Sequence, residues 1–335
     1  MKTTRLPILP LLILLCPAWA AWTPAADAKT VIAHRGASGH LPEHTLEAYA
    51  FAYAEGADYI EPDLMLTKDG VPIALHDQTL EATTDVAAVF PDRARPDGRF
   101  YAIDFTLEEI KQLRVRERVN PANDNLVFPE RWPNRHRHLH FRIPTLAEVL
   151  ELAAGLNHTT GRRVGVYPET KHSNWHAREG QNFEKILLET LAEFGYASKE
   201  DPIIIQSFEP ESLRRLRELG TELRLVQLIG GGARHSRMVT AEGLDEIAQF
   251  ADGIGPSMTL IIDNRGRPVN DNFLIREAHA RGLIVHPYTM RSDRLPGYVS
   301  SYGELLERFL FEAGADGVFT DQTGETVRFL RERGD

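Results

Sequence analysis

The stretch Tyr59-Ile60-Glu61-Pro62-Asp63-Leu64-Met65-Leu66-Thr67-Lys68-Asp69-Gly70-Val71-Pro72-Ile73-Ala74-Leu75-His76-Asp77 decides the fold. It holds two strand-like runs, 59–64 and 71–76, with the polar tetrapeptide Thr67-Lys68-Asp69-Gly70 in the connection. A parallel crossover needs about a dozen residues or more, so the second run must fold back antiparallel as a hairpin. Asp-Gly favours a two-residue turn, in which Lys68 pairs with Val71 and opposed positions sum to 139. Asp63 then faces His76, with Cβ atoms roughly 5 Å apart on one face of the hairpin.

Outward from this hairpin, short β-branched runs alternate with amphipathic stretches along the chain. Strands are expected at Val31–His34, Tyr59–Leu64, Val71–His76, Val164–Tyr167, Ile203–Gln206, Leu223–Leu228, Asp252–Gly255, Leu283–Pro287 and Gly317–Thr320. Setting the hairpin return aside leaves eight parallel candidates, with helices such as Thr45–Glu55, Glu209–Leu219 and Asp271–Arg281 between them. The expected fold is α/β, a (β/α)8 TIM barrel with a β-hairpin after strand 2 and an insertion on the loop face. The insertion, at about 80–142, is rich in Pro, Asp and Arg and carries one helix candidate, Thr106–Arg116. Its end packs Arg131, Arg135, His136, Arg137, His138, His140 and Arg142 into twelve positions, readable as a solvated loop or as a contact for an anionic substrate.

The 335 residues carry 38 Lys plus Arg against 48 Asp plus Glu, a net charge of −10, and one cysteine, Cys16. That balance argues against a nucleic-acid partner, and a lone cysteine excludes a disulfide framework and a Cys-ligated metal. Lys2 and Arg5 precede an apolar run from Leu6 to Leu15, and Ala18-Trp19-Ala20 has the small residues a signal peptidase reads. Residues 1–20 are therefore expected to be a cleaved signal peptide that carries Cys16 away, 21–28 a mature N-terminal segment and 29–335 the barrel domain, exported to the periplasm. The apolar run is too short to span a bilayer, so no stable membrane insertion is expected.

Strand ends are where a barrel keeps its active site. The first strand ends in His34-Arg35-Gly36, offering a titratable ring, a fixed cation and room for close backbone approach. The second ends in Glu61-Pro62-Asp63, whose carboxylates lie two apart and face the same way. The third ends in Tyr167-Pro168-Glu169-Thr170-Lys171, adding a third carboxylate and a second cation on one face. Three oxygen ligands without cysteine suit Ca2+ or Mg2+, with zinc a minority reading given the two histidines. A divalent cation, two cationic side chains and the pair His34 and His76 suit a phosphoester, with one ring removing a proton and the other supplying one. His172, Trp175 and His176, next along the loop, are rim or substrate contacts at most and plain loop residues by default.

Taken together, His34-Arg35-Gly36-Ala37-Ser38-Gly39, Leu41-Pro42-Glu43-His44-Thr45, Gly56-Ala57-Asp58-Tyr59, Leu75-His76-Asp77, Tyr167-Pro168-Glu169, Gly253-Ile254-Gly255-Pro256, His286-Pro287-Tyr288-Thr289 and Phe319-Thr320-Asp321 form an ordered set. In that set the chain resembles the glycerophosphodiester phosphodiesterase family, its periplasmic bacterial members above all. The resemblance implies a (β/α)8 barrel that cleaves glycerophosphodiesters to sn-glycerol 3-phosphate and an alcohol, through a cyclic phosphate formed by the glycerol 2-hydroxyl. By position it puts the metal ligands on Glu61, Asp63 and Glu169, the catalytic histidines on His34 and His76, phosphate contacts on Arg35 and Lys171, and a substrate contact on Tyr288. It implies one divalent cation, Ca2+ ahead of Mg2+, and a small-molecule substrate, with a homodimer as the candidate assembly. Two positions depart from many relatives, which carry Asn in place of His44 and Trp in place of Tyr288. Two other readings compete: a phospholipase D-like activity on lysolipids, which needs an apolar groove, and a non-catalytic periplasmic binding protein, which has no use for both histidines.

Overall fold

The computed structural model describes residues 29–134 and 138–334. The expected signal peptide with its cleavage site and Cys16, the expected mature N-terminal segment 21–28, and Arg135, His136 and Arg137 lie outside the described residues. Among the described residues eleven strands run in chain order: β1 (Thr30–His34), β2 (Tyr59–Glu61), β3 (Asp63–Leu66), β4 (Pro72–Ala74), β5 (Gly165–Val166), β6 (Glu169–Thr170), β7 (Ile204–Ser207), β8 (Arg224–Ile229), β9 (Gly253–Pro256), β10 (Ile284–Val285) and β11 (Gly317–Thr320). They form two hydrogen-bonded runs, β11-β1-β2-β5 and β10-β9-β8-β7-β6-β3-β4, parallel throughout except for β3 with β4.

The two runs belong to one ring of eight staves. Pro62, which has no N–H to give, separates β2 from β3, and Pro168 likewise separates β5 from β6. The carbonyls of both prolines still bond across, Glu169 N to Pro62 O at 2.9 Å and Gln206 N to Pro168 O at 2.9 Å. At the other seam Asp316 N reaches Val285 O at 3.0 Å, Phe319 N reaches Pro287 O at 3.1 Å and Met290 N reaches Phe319 O at 2.8 Å. The eight expected parallel strands are thus the eight staves of a (β/α)8 barrel, and β4 is the antiparallel return of the hairpin.

The hairpin register differs from expectation by one residue. Leu64 pairs with Ala74, Met65 with Ile73 and Leu66 with Pro72, so opposed positions sum to 138. A two-residue Asp-Gly turn of the favoured type needs positive φ at both residues, but of the pair only Gly70 has it, at 77°. The loop is therefore Lys68-Asp69-Gly70, closed by Thr67 N to Val71 O at 3.1 Å. Leu75, not His76, meets Asp63, donating its N–H to Asp63 O at 2.9 Å. Asp69 is committed elsewhere, accepting from Thr67 Oγ1 at 2.6 Å and from Leu107 N in the insertion at 3.0 Å.

Helices pack the outside of the ring. Leu46–Glu55 begins where Thr45 accepts from Ala48 N at 3.1 Å, the expected cap. Pro210–Glu218 and Phe273–His279 fall inside their expected ranges. The Thr106–Arg116 helix is shorter than expected, Leu107–Ile110, although Thr106 and Glu109 form a full capping box. Beyond it Leu113 and Val115 are both buried, a two-residue period, and Val115 bridges Thr84 and Phe141 in extended pairing. The insertion has its own apolar cluster, in which Phe100, Phe105, Ile110, Leu113 and Phe141 pack on Met65, Ile73 and Leu75 of the hairpin. The hairpin is thus the floor on which the insertion stands.

Candidate active site

Inside the ring, Ile32, Tyr59, Tyr167, Ile204, Val226 and Phe319 form a buried apolar layer. Two residues further along the same staves the side chain returns to the same face. Those positions are His34, Glu61, Glu169, Gln206, Leu228 and Asp321. A second step of two brings Asp63, Lys171 and Phe208. The alternation that fills a barrel floor with apolar side chains therefore stacks a polar layer above it. His34, Arg35, Glu61, His76, Glu169, Lys171, Gln206, Phe208 and Tyr288 line one cavity of about 100 Å3.

Oxygens of Glu61, Asp63 and Glu169, all buried, lie within 4.8 Å of one another. Burial and the two neighbouring carboxylates push Glu61 well above the usual carboxylate range. Burial and Asp63 likewise push Glu169 up to about 8, against Lys171, whose Nζ lies 3.0 Å from Glu169 Oε1. Asp63 goes the other way: burial would raise it, but Lys171 and Arg35 outweigh that and hold it well below its usual value. Three buried oxygen donors that repel one another in this way fit a hard divalent cation, and no sulfur donor is near.

Arg35 sits in the left-handed region, φ 59°, which turns its backbone N–H onto Glu61 Oε2 at 2.8 Å. Its guanidinium lies between Glu43 Oε1 at 3.1 Å and Asp63 Oδ2 at 3.2 Å. The close approach expected at Gly36 is made to the helix Leu46–Glu55: a Cβ there would stand 2.8 Å from the Ala48 carbonyl carbon. Burial would lower Lys171, but Asp63 and Glu169 hold it above its ordinary value, so it stays charged.

Each candidate catalytic histidine is backed by an aspartate. His34 Nδ1 lies 2.7 Å from Asp321 Oδ1, and His76 Nδ1 lies 2.5 Å from Asp77 Oδ1. Burial first and Arg35 second lower His34 to about 4. Burial, Arg35 and Lys171 lower His76 to about 3. Both rings are uncharged at neutral pH, and since Asp77 and Asp321 are held ionised, each ring carries its proton on Nδ1, which leaves Nε2 with the lone pair.

A family model described as the glycerophosphoryl diester phosphodiesterase family matches residues 34–325, from the first of these histidines past the aspartate that backs it. The chain belongs to that family. It is 37% identical over 330 residues to a glycerophosphodiester phosphodiesterase of Haemophilus influenzae, covering 90% of each chain. It is 32% identical to one from Treponema pallidum, covering 91% of this chain and 92% of the relative. Among solved structures it shares the fold of a phosphodiesterase from Oleispira antarctica in complex with the product sn-glycerol-3-phosphate, with a TM-score of 0.62 at 21% identity and 90% and 96% of the two chains covered.

In this member of the family the structure brings together all eight residues singled out from sequence: seven line the cavity, among them Tyr288, whose ring is 5.7 Å from Phe208 and edge-on to it, and Asp63 lies beside Glu61 and Glu169. His44, a departure from many relatives, is buried and lies 3.0 Å from Asp63 Oδ2 through Nε2, with Tyr49 OH at its Nδ1. The loop default fails for Trp175 and His176, which lie in the helix Ser173–Arg178, and the contact reading fails for His176, which is fully buried, bonds Gln181 at 2.9 Å and packs on Trp175 and Phe183. Neither reading of the basic 131–142 stretch holds for Arg131, which is buried and paired with Asp293 and Asp321, whereas Arg142 is exposed as a loop residue would be, its guanidinium bonding the carbonyls of Gln112 and Leu113. Sequence reasoning gave no role to Asp321 or Gln206; both stand two residues beyond an apolar floor residue, Phe319 and Ile204, and that offset was the available signal.

Proposed function

We propose that this chain hydrolyses glycerophosphodiesters, the deacylated forms of phospholipids, to sn-glycerol 3-phosphate and an alcohol, with Glu61, Asp63 and Glu169 holding a divalent cation, Ca2+ ahead of Mg2+. The observation that carries the reading is a small cavity lined by Glu61, Glu169, Arg35, Lys171 and two uncharged, aspartate-backed histidines, with the buried Asp63 carboxylate within 4.8 Å of the other two.

A divalent cation bound by the three carboxylates supplies positive charge to the phosphoryl oxygens as negative charge builds on them. Arg35 and Lys171 supply the rest, Arg35 through a planar fork that matches phosphate oxygens and Lys171 as a point charge. One imidazole accepts the proton of the glycerol 2-hydroxyl through Nε2 as that oxygen attacks phosphorus. The other delivers a proton to the departing alkoxide, and the exchange reverses when water opens the cyclic phosphate. The phosphodiester anion between the rings favours the protonated form of the ring that acts as acid. An intramolecular nucleophile explains a requirement for glycerol, since proximity replaces a bimolecular encounter. Phe208, Leu228, Tyr288 and Phe319 give the cavity an apolar side suited to the carbon face of a three-carbon unit.

The test is release of glycerol 3-phosphate from glycerophosphocholine by the purified protein with Ca2+, with Mg2+ and with EDTA. Turnover with a cation and none with EDTA is expected. Absence of turnover under every condition removes the enzyme reading, and turnover indifferent to EDTA removes the metal. Export is proposed on residues 1–20 alone, and a periplasmic species whose mass begins at Ala21 is the expected result.

A further inference from the structure

The insertion sends two arginines behind the two histidines. Arg118 Nη1 donates to Asp77 Oδ2 at 2.5 Å, the oxygen turned away from His76. Its Nε and Nη2 donate to both oxygens of Glu43, at 2.9 and 2.6 Å, and Glu43 in turn pairs with Arg35. Arg131 Nη2 donates to Asp321 Oδ2 at 2.7 Å, again the oxygen turned away from the histidine, here His34. Its Nε and Nη2 take both oxygens of Asp293, at 2.6 and 3.1 Å, and its Nη1 takes Ser38 O at 3.2 Å. Neither arginine lines the cavity, and every guanidinium nitrogen already has an acceptor, so neither is free to bind phosphate. Other insertion arginines serve the insertion itself: Arg93 pairs with Glu109, and Arg99 with Glu81.

We propose that Arg118 and Arg131 are positioning residues, each locking one aspartate so that its histidine is held in the reactive tautomer and orientation. The inference rests on His34 and His76 being the acid–base pair. Each arginine is itself fixed by a two-pronged pair, Arg118 on Glu43 and Arg131 on Asp293, so the one nitrogen it offers the histidine's aspartate holds that carboxylate oxygen in place and keeps the other on the histidine Nδ1. The same cation keeps the carboxylate ionised inside the protein, where burial alone would favour its neutral form. Losing the arginine frees the aspartate to turn or take up a proton, and the ring then loses the acceptor that fixes Nε2 toward the substrate. The insertion is in this way a clamp whose seating aligns both ends of the proton path. Arg118 has the larger share, because Asp77 has no other arginine partner among the described contacts whereas Asp321 also accepts from Arg291 Nε at 2.6 Å.

The experiment is steady-state turnover of glycerophosphocholine with Ca2+ by full-length Arg118→Ala, Arg131→Ala and the control Arg93→Ala, alongside His34→Ala and His76→Ala. Arg131→Ala is expected to lower kcat on the order of 10–100-fold with KM little changed. Arg118→Ala is expected to fall further and to raise KM as well, since Glu43 loses the partner that holds Arg35. Added guanidinium ion should restore part of the lost kcat in both. Arg93→Ala should keep wild-type kcat. Where an alanine variant does not fold, Arg→Lys keeps the charge without the fork and should fold with lowered kcat. Arginine variants of wild-type kcat beside inactive histidine variants overturn the positioning role alone. Arg93→Ala as impaired as the other two also overturns it, because the effect is then a loosened insertion. Histidine variants that keep turnover overturn the proposed mechanism and the positioning role with it.

Discussion

The two histidine–aspartate pairs share one role in the proposed mechanism, proton transfer, and are built in opposite ways. His34 and Asp321 are 287 residues apart in sequence and meet because β1 and β11 are neighbouring staves, Ala33 level with Thr320. His76 and Asp77 are consecutive, beyond the last rung of the hairpin. Asp321 is 2% exposed and accepts from Arg131 and Arg291 as well as facing His34, whereas Asp77 is 27% exposed and relies on Arg118. The barrel fixes one pair through strand register. The other is cheap to encode and loose on its own, and the insertion supplies its rigidity.

The sharpest way to break the comparison is to remove the rings. His34→Ala and His76→Ala should each lower kcat by about 10²–10⁴-fold while circular dichroism stays native, and a variant retaining wild-type kcat removes that histidine from the mechanism. The aspartates should then separate. Asp321→Asn leaves the buried Arg131 and the part-exposed Arg291 short of an anion, so a loss of at least about 100-fold in kcat should come with about 3 kcal/mol of stability in urea unfolding. Asp77→Asn should cost roughly 10–100-fold in kcat but no more than about 1 kcal/mol, because its pair is part-exposed. Equal stability losses in the two variants would remove the distinction between register-built and clamp-built pairs.

The smallest effect is on pH. His34 is 11% exposed and is lowered to about 4, so below its unfolded value near 6.5 the unfolded chain binds a proton that the folded one refuses. Stability from this ring is complete above about 6.5 and is lost as pH falls toward about 4. His34→Ala should flatten that part of the urea-unfolding profile between pH 7 and 5, and a variant with an unchanged slope contradicts the buried, uncharged ring.

What the sequence made legible follows the two-residue period. Glu61 with Asp63 and Glu169 with Lys171 read as converging because strand alternation is local and rigid. The hairpin slipped by one because Asp69 spends its carboxylate on Thr67 and Leu107, and only Gly70 adopts the left-handed conformation. His76 still reaches the cavity, since the chain leaves the ladder before it. The contacts of Arg118 and Arg131 were illegible for a different reason: each depends on how an irregular insertion seats on the hairpin, and no local period encodes that.

In the proposed mechanism the buried carboxylate trio holds a cation on which turnover depends. The direct measurement is to strip the wild-type protein and Asp63→Asn with chelator, add back Ca2+, and follow glycerol 3-phosphate release together with calorimetric Ca2+ binding. Wild type should recover turnover as it binds Ca2+, and Asp63→Asn should do neither at the same concentration. Full turnover in excess chelator, or an Asp63→Asn variant that binds Ca2+ and recovers like wild type, would contradict the account.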